Sequence, residues 1–133
     1  MDSQALRLPH HQQVVMDRFV AACQADARVV AAFLGGSYAS GTADAYSDLD
    51  LSLITTDAAY EDFLAGREAF IRLLGEPLFL ETFQRPNVAF FIFPDGTEGE
   101  LALGCTSDFT DMNRGAYRVL LDKTGILAGA VFP

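Results

Sequence analysis

Residues 47 to 55, Ser-Asp-Leu-Asp-Leu-Ser-Leu-Ile-Thr, constrain this chain more than any other segment. Polar and apolar residues alternate there, and side chains on a strand point to opposite faces with a period of two. Asp48, Asp50, Ser52 and Ile54 therefore share one face of a predicted strand, and Leu49, Leu51, Leu53 and Thr55 share the other. Aspartate is a poor strand former, so two of them in the most strand-like stretch require a reason. Their Cα atoms lie about 6.5 Å apart by strand rise, and side by side the carboxylates repel unless a cation sits between them. Hard divalent cations such as Mg²⁺ take oxygen ligands and bind through one or two carboxylates plus substrate phosphates. The plain alternative is an exposed strand face that happens to carry two aspartates, and Asp-x-Asp alone has little specificity.

A second motif raises the first. Residues 28 to 34, Arg-Val-Val-Ala-Ala-Phe-Leu, read as a buried strand ending at Gly35-Gly36. Residues 37 to 42 then read as a short helical turn, with Ser37 as N-cap and Gly41 as terminator. Backbone N–H groups at such a glycine turn can cradle a phosphate, and glycine lets the backbone approach it closely. The Ser37 hydroxyl offers one more bond. Gly-Gly-Ser is by itself an ordinary strand-to-helix turn; its position ten residues before the aspartate pair is what lifts it. Together the two motifs read as a site for a metal–nucleotide complex.

The rest of the chain supplies the frame. Residues 9 to 25 form an amphipathic helix begun by Pro9, with Val14, Val15, Phe19 and Ala22 on its apolar side. Asp57 is expected to cap a second helix over 58 to 74, ending at Gly75, with Leu64, Phe70, Ile71 and Leu74 as its stripe. Strands follow at 78 to 84 and 88 to 93, then a turn at 94 to 99 and a returning strand at 100 to 105, so 88 to 105 is a hairpin. After a looser stretch, 117 to 122 is a last strand. The expected fold class is α/β (α+β), a mixed β-sheet with helices packed on one face. If the hairpin lies beside the Asp48/Asp50 strand, Glu100 becomes a third ligand. Glu98 would share its face and competes with it, but is assigned to the turn with Gly96 and Gly99.

At 133 residues the chain suits one domain with a real core. Its net charge is −9, with only 9 Lys and Arg and no basic run. That argues against long nucleic acids as partners, whereas a small nucleotide can be neutralised by bound metal. Cys23 and Cys105 read as free thiols. The N-terminus is polar and unlike a signal peptide, and no apolar run approaches the roughly 20 residues that cross a bilayer. No membrane association is expected, and a cytoplasmic location is the default. His10 and His11 at a helix start carry little weight as metal ligands, and Phe90, Phe91 and Phe93 read as core and sheet face.

These residues resemble the nucleotidyltransferase superfamily related to DNA polymerase beta. Its signature is a hydrophobic residue with Gly-Gly/Ser, a gap of about ten residues, then Asp-x-Asp in an apolar strand, with a third carboxylate from a later strand. Here the match is Leu34-Gly35-Gly36-Ser37, Asp48-Leu49-Asp50-Leu51 and Glu100. The text from Gly36 to Leu51 is most similar to the bacterial small-substrate branch, which includes the aminoglycoside and the minimal nucleotidyltransferases. The resemblance runs over about residues 10 to 122 and is strong at 34 to 54. It implies a polymerase beta palm-like fold and catalysis by Asp48, Asp50 and Glu100, which would hold two Mg²⁺ ions, with Mn²⁺ as a substitute. Gly35, Gly36, Ser37 and Ser47 would bind the nucleotide. It further implies a nucleoside triphosphate such as ATP as donor, a hydroxyl of a small molecule or protein as acceptor, and pyrophosphate as leaving group. The alternative it offers is a non-catalytic or partner-modifying minimal nucleotidyltransferase, the antitoxin half of a toxin–antitoxin pair. A homodimer or a partner protein stays open.

The chain departs from the pattern twice. Where many relatives carry a basic residue three positions after the motif serine, it has Ser40. Arg85, Arg114, Arg118 and Lys123 are the candidate replacements, although any single one reads more readily as a plain surface charge. The antibiotic-modifying branch also adds a C-terminal helical domain, whereas this sequence stops at an apolar Gly-Ile-Leu-Ala-Gly-Ala-Val-Phe-Pro. The expectation leans towards the N-terminal part of a longer protein over a stand-alone domain.

Overall fold

In chain order the elements are α1 (His10–Ala25), β1 (Val29–Leu34), α2 (Gly36–Ser40), β2 (Leu49–Thr55), α3 (Tyr60–Ala65), α4 (Arg67–Arg72), β3 (Phe79–Glu81), β4 (Val88–Ile92), β5 (Glu98–Cys105), a 3₁₀ turn (Phe109–Asp111) and β6 (Arg118–Asp122). They come from a computed structural model that describes residues 8–41, 43, 47–82, 85–111 and 115–129. The six strands form one sheet of order β3-β4-β5-β2-β1-β6. β2 and β5 run parallel, and the other neighbouring pairs are antiparallel. The sheet is therefore mixed, as expected.

The leucines of the Asp-Leu alternation explain which face is covered. Leu49, Leu51 and Leu53 are fully buried and pack with Val15, Met16 and Phe19 of α1 and with Phe63, Phe70 and Ile71 of α3 and α4. Burying a leucine is worth about 1.5–3 kcal/mol, so this one strand anchors the helical layer strongly. Phe70 sits edge-on to Phe19, with ring centroids 6.2 Å apart, and locks α4 to α1. On the opposite face Phe33 and Ile54 are covered by Phe109, Tyr117 and Leu127, which come from the 3₁₀ turn and the segments flanking β6. The α-helices lie on one face, and Asp50 belongs to the other.

Several expectations need correction. The helix over 58 to 74 is two helices broken at Gly66, which ends α3 and begins α4; glycine is a weak helix former, and the apolar spacing runs on across the break. Phe63, absent from the expected stripe, is buried with Phe70, Ile71 and Leu74, and Leu64 is partly buried against the same core. Asp57 is not a helix cap. Its carboxylate accepts hydrogen bonds from the Thr106 hydroxyl (2.8 Å) and the Ser107 N–H (3.0 Å), tying the end of β2 to the end of β5. Ser37 is not an N-cap either, since α2 begins at Gly36 with Gly35 in the cap position; Gly41 does end it, at φ +81°. The strand read over 78 to 84 is only Phe79–Glu81, with residues 83 and 84 outside the described ones. Glu98 opens β5 instead of lying in the turn.

Both cysteines are free thiols. Burial pushes Cys23 up to about 12, which keeps it protonated and unreactive. Among the described residues no helix is long and apolar enough to cross a membrane.

Candidate active site

β2 and β5 lie side by side with Asp50 opposite Glu100 in register. Residues paired across neighbouring strands project from the same face, so the two carboxylates stand next to each other on the face without helices. Both are half-buried, while Asp48, one residue before β2, is exposed. The tight approach of the two strands depends on Gly99. A Cβ there would lie 2.7 Å from both the Leu49 carbonyl oxygen and Phe91 Cζ, so the position has no room for a side chain.

The glycine turn closes on the same point. The Gly35 N–H donates to the Asp50 carbonyl (2.9 Å). Gly36 has φ +66°, and a Cβ on it would come within 1.9 Å of Asp50 Oδ2. The backbone at the head of α2 thus lies directly against one of the paired carboxylates. Ser37 is half-buried just after it, and Ser47 just before Asp48.

Negative charge is concentrated here. Burial first, and then the charge of Asp48, raises the Asp50 carboxyl above the ordinary aspartate range. Glu100 is raised by burial and by Asp50, with Arg85 pulling it the other way. Arg85, one of the four candidate cations, thus acts electrostatically on Glu100. Arg118 stands opposite Leu34 on β6, at the end of β1 that carries the glycine turn. Lys123 donates to the Asp26 carbonyl (3.0 Å) near the start of β1, away from the turn. Arg114 lies outside the described residues.

Beyond β5 the same face opens into a cavity of about 180 Å³ lined by Asp48, Phe79, Phe90, Ile92 and Glu98 together with Phe91 and Gly99. The register explains the lining: Phe90 pairs with Glu100, Ile92 with Glu98, and Phe79 with Ile92. The sheet order therefore puts the glycine turn on one flank of the Asp50–Glu100 pair and an acidic, aromatic-walled cavity on the other.

Two contributors escape a reading of motifs. Phe90 reads as sheet face, but only the register shows that it faces the carboxylates. Gln12, in the first turns of α1, is 3% exposed; its amide donates to the Ser47 carbonyl (2.9 Å) and accepts from the Tyr38 hydroxyl. The signal for it is a polar residue on the apolar stripe, in helical spacing with Val15, Phe19 and Cys23.

With this geometry in place, the chain can be set against known proteins. The family model for streptomycin adenylyltransferase matches residues 10–133. No curated protein matches the sequence. Among solved structures, an aminoglycoside 6-adenyltransferase from Bacillus subtilis superposes with a TM-score of 0.60 over 87% of this chain, at 22% identity. That likeness concerns the fold, and this chain spans 42% of that protein's length. The mixed sheet with one helical layer is the nucleotidyltransferase fold. The match over nearly the whole sequence places the chain in the streptomycin adenylyltransferase family, within the aminoglycoside branch of the nucleotidyltransferase superfamily.

Proposed function

We propose that this chain transfers a nucleoside monophosphate, AMP by its family, from the triphosphate to a hydroxyl of a small polycationic acceptor of the aminoglycoside type, releasing pyrophosphate. The observation that carries the reading is the register pair Asp50–Glu100 with Gly36 packed against Asp50. The donor set suits a hard divalent cation, because three carboxylates supply only oxygen and two of them are held above their usual range by burial and mutual repulsion. Among the described residues no three carboxylate, imidazole or thiol groups, Asp48, Asp50 and Glu100 included, stand so that they could hold a metal ion by themselves. The coordination would be completed by phosphate oxygens of the nucleotide, as is common for Mg²⁺. Asp48, Asp50 and Glu100 would hold the ions, two Mg²⁺ or Mn²⁺ in their place. When bound, such ions supply the positive charge that favours an attacking alkoxide and a leaving pyrophosphate.

The chain's own residues would do the rest by position. Gly35, Gly36 and Ser37 present backbone and hydroxyl to the phosphates, and Ser47 borders the same space. The cavity on the far flank receives the acceptor: Asp48 and Glu98 attract ammonium groups, and the faces of Phe79 and Phe90 suit a cationic ring. Catalysis of this kind is alignment and charge, with no covalent step on the protein.

The direct test is the melting temperature with ATP, GTP, CTP or UTP, each with and without Mg²⁺. At a concentration about 100 times Kd, ATP with Mg²⁺ should add about 2.7 kcal/mol, a rise of roughly 10 °C for a chain of this size. A response to no nucleotide would overturn the proposal. Turnover with streptomycin as probe acceptor then separates the two glutamates. Glu100→Gln should lower kcat by roughly 100-fold while leaving the nucleotide-induced shift in place. Glu98→Gln should chiefly raise the acceptor KM. The reverse pattern would make Glu98 the third ligand.

A further inference from the structure

We infer that Gln12 is a positioning residue for this site, setting the spacing between the glycine turn and the first carboxylate. The inference rests on the proposed reading of Asp48 and Gly36, but its geometry is independent of the reaction. Gln12 sits among apolar residues on the buried side of α1. A buried amide is costly unless its polar atoms are paired. The Ser47 partner is a carbonyl and can only accept, so the Gln12 nitrogen faces it and the oxygen is left for the Tyr38 hydroxyl. Tyr38 is itself 5% exposed and lies two residues after Gly36 on α2. Ser47 immediately precedes Asp48. One side chain thus joins the helix that begins at the glycine turn to the residue that immediately precedes the exposed aspartate.

A buried amide could instead serve general stability, and the two roles differ in what loosens when it is removed. Gln12→Met keeps the volume and deletes both bonds. Positioning predicts that backbone amides at 37–41 and 48–50 exchange about tenfold faster or more, while β1 and the second half of α1 stay protected. It also predicts that kcat falls roughly tenfold or more and that the KM for ATP rises, because the phosphate-facing turn loosens together with the aspartate. The Gln12→Met, Tyr38→Phe double variant should be little worse than Gln12→Met alone, since both act on one network. Exchange that accelerates uniformly along the chain in step with the melting temperature would overturn the inference. So would kinetic losses of Gln12→Met and Tyr38→Phe that simply add. If Gln12→Met does not fold, Tyr38→Phe alone should show the local loosening at 37–41, and its absence there would be equally decisive. Should the wild-type chain transfer nothing to any acceptor, the functional proposal fails, and the exchange pattern still decides the role of Gln12.

Discussion

Asp50→Asn is expected to cost at least roughly 1,000-fold in transfer, about 4 kcal/mol of barrier, and yet to raise the melting temperature of the metal-free protein. The two effects have one cause. Asp50 is half-buried between Asp48 and Glu100 with the Gly36 backbone against it, and its carboxyl is raised by burial and by Asp48. A carboxylate with a raised value in the folded state binds its proton more tightly there than in the unfolded chain. Its penalty is therefore present in full near neutrality and is relieved as pH falls through the raised value, above the ordinary carboxylate range. The metal-free wild type should gain stability from this site between neutral and mildly acidic pH, and Asp50→Asn should flatten that gain. The stabilisation should be a few degrees rather than tens, because both groups are partly solvated and water screens their repulsion. Adding Mg²⁺ with ATP should reverse the ranking, stabilising the wild type and leaving the variant unmoved. Melting curves of the two proteins from pH 5 to 8, with and without Mg²⁺ and ATP, check all of this. A variant that melts lower than wild type in the metal-free state would show that Asp50 is structurally paired instead of electrostatically strained.

What was legible in the sequence is what local period encodes. β2 was legible because Leu49, Leu51 and Leu53 alternate with Asp48, Asp50 and Ser52, and the core shows that the leucines are the set that faces the helices. The end of α2 was legible because Gly41 reaches a left-handed φ that few other residues adopt. The contact that matters most for the site was legible only as a condition. Parallel pairing of β2 with β5 needs a long crossover, here through α3, α4, β3 and β4, and no local pattern states its register. The Glu98–Glu100 choice shows the same limit. The two share a face, so periodicity cannot rank them, whereas the register places Glu100 beside Asp50. Asp57 looked like a cap because capping is a local rule; its partners Thr106 and Ser107 lie about fifty residues on. Gly99 looked like turn chemistry, and its reason is instead the space taken by Phe91 and the Leu49 carbonyl.

Gly36→Ala and Gly41→Ala together give the sharpest test of the glycine turn. Both glycines have positive φ, +66° and +81°, so alanine pays a backbone cost of about 1–2 kcal/mol at either place. The surroundings differ completely. Among the described residues nothing lies within 4 Å of a Cβ at Gly41, whereas a Cβ at Gly36 falls 1.9 Å from Asp50 Oδ2 and 2.9 Å from its Cγ. The clash at Gly36 is with the end of a side chain, so the fold can escape it by swinging the carboxylate away. That escape spares stability and removes Asp50 from its place beside Glu100. The two variants should therefore melt at similar temperatures, each a few degrees below wild type. Gly41→Ala should keep transfer within about threefold, while Gly36→Ala should lose roughly 100-fold or more, since an ångström of misplacement at a reacting centre costs about that much. The nucleotide-induced shift in melting temperature should fall with it, because the phosphate-facing backbone and the carboxylate are displaced together. Equal activity in the two variants would mean that the close packing of Gly36 on Asp50 is not what aligns the site.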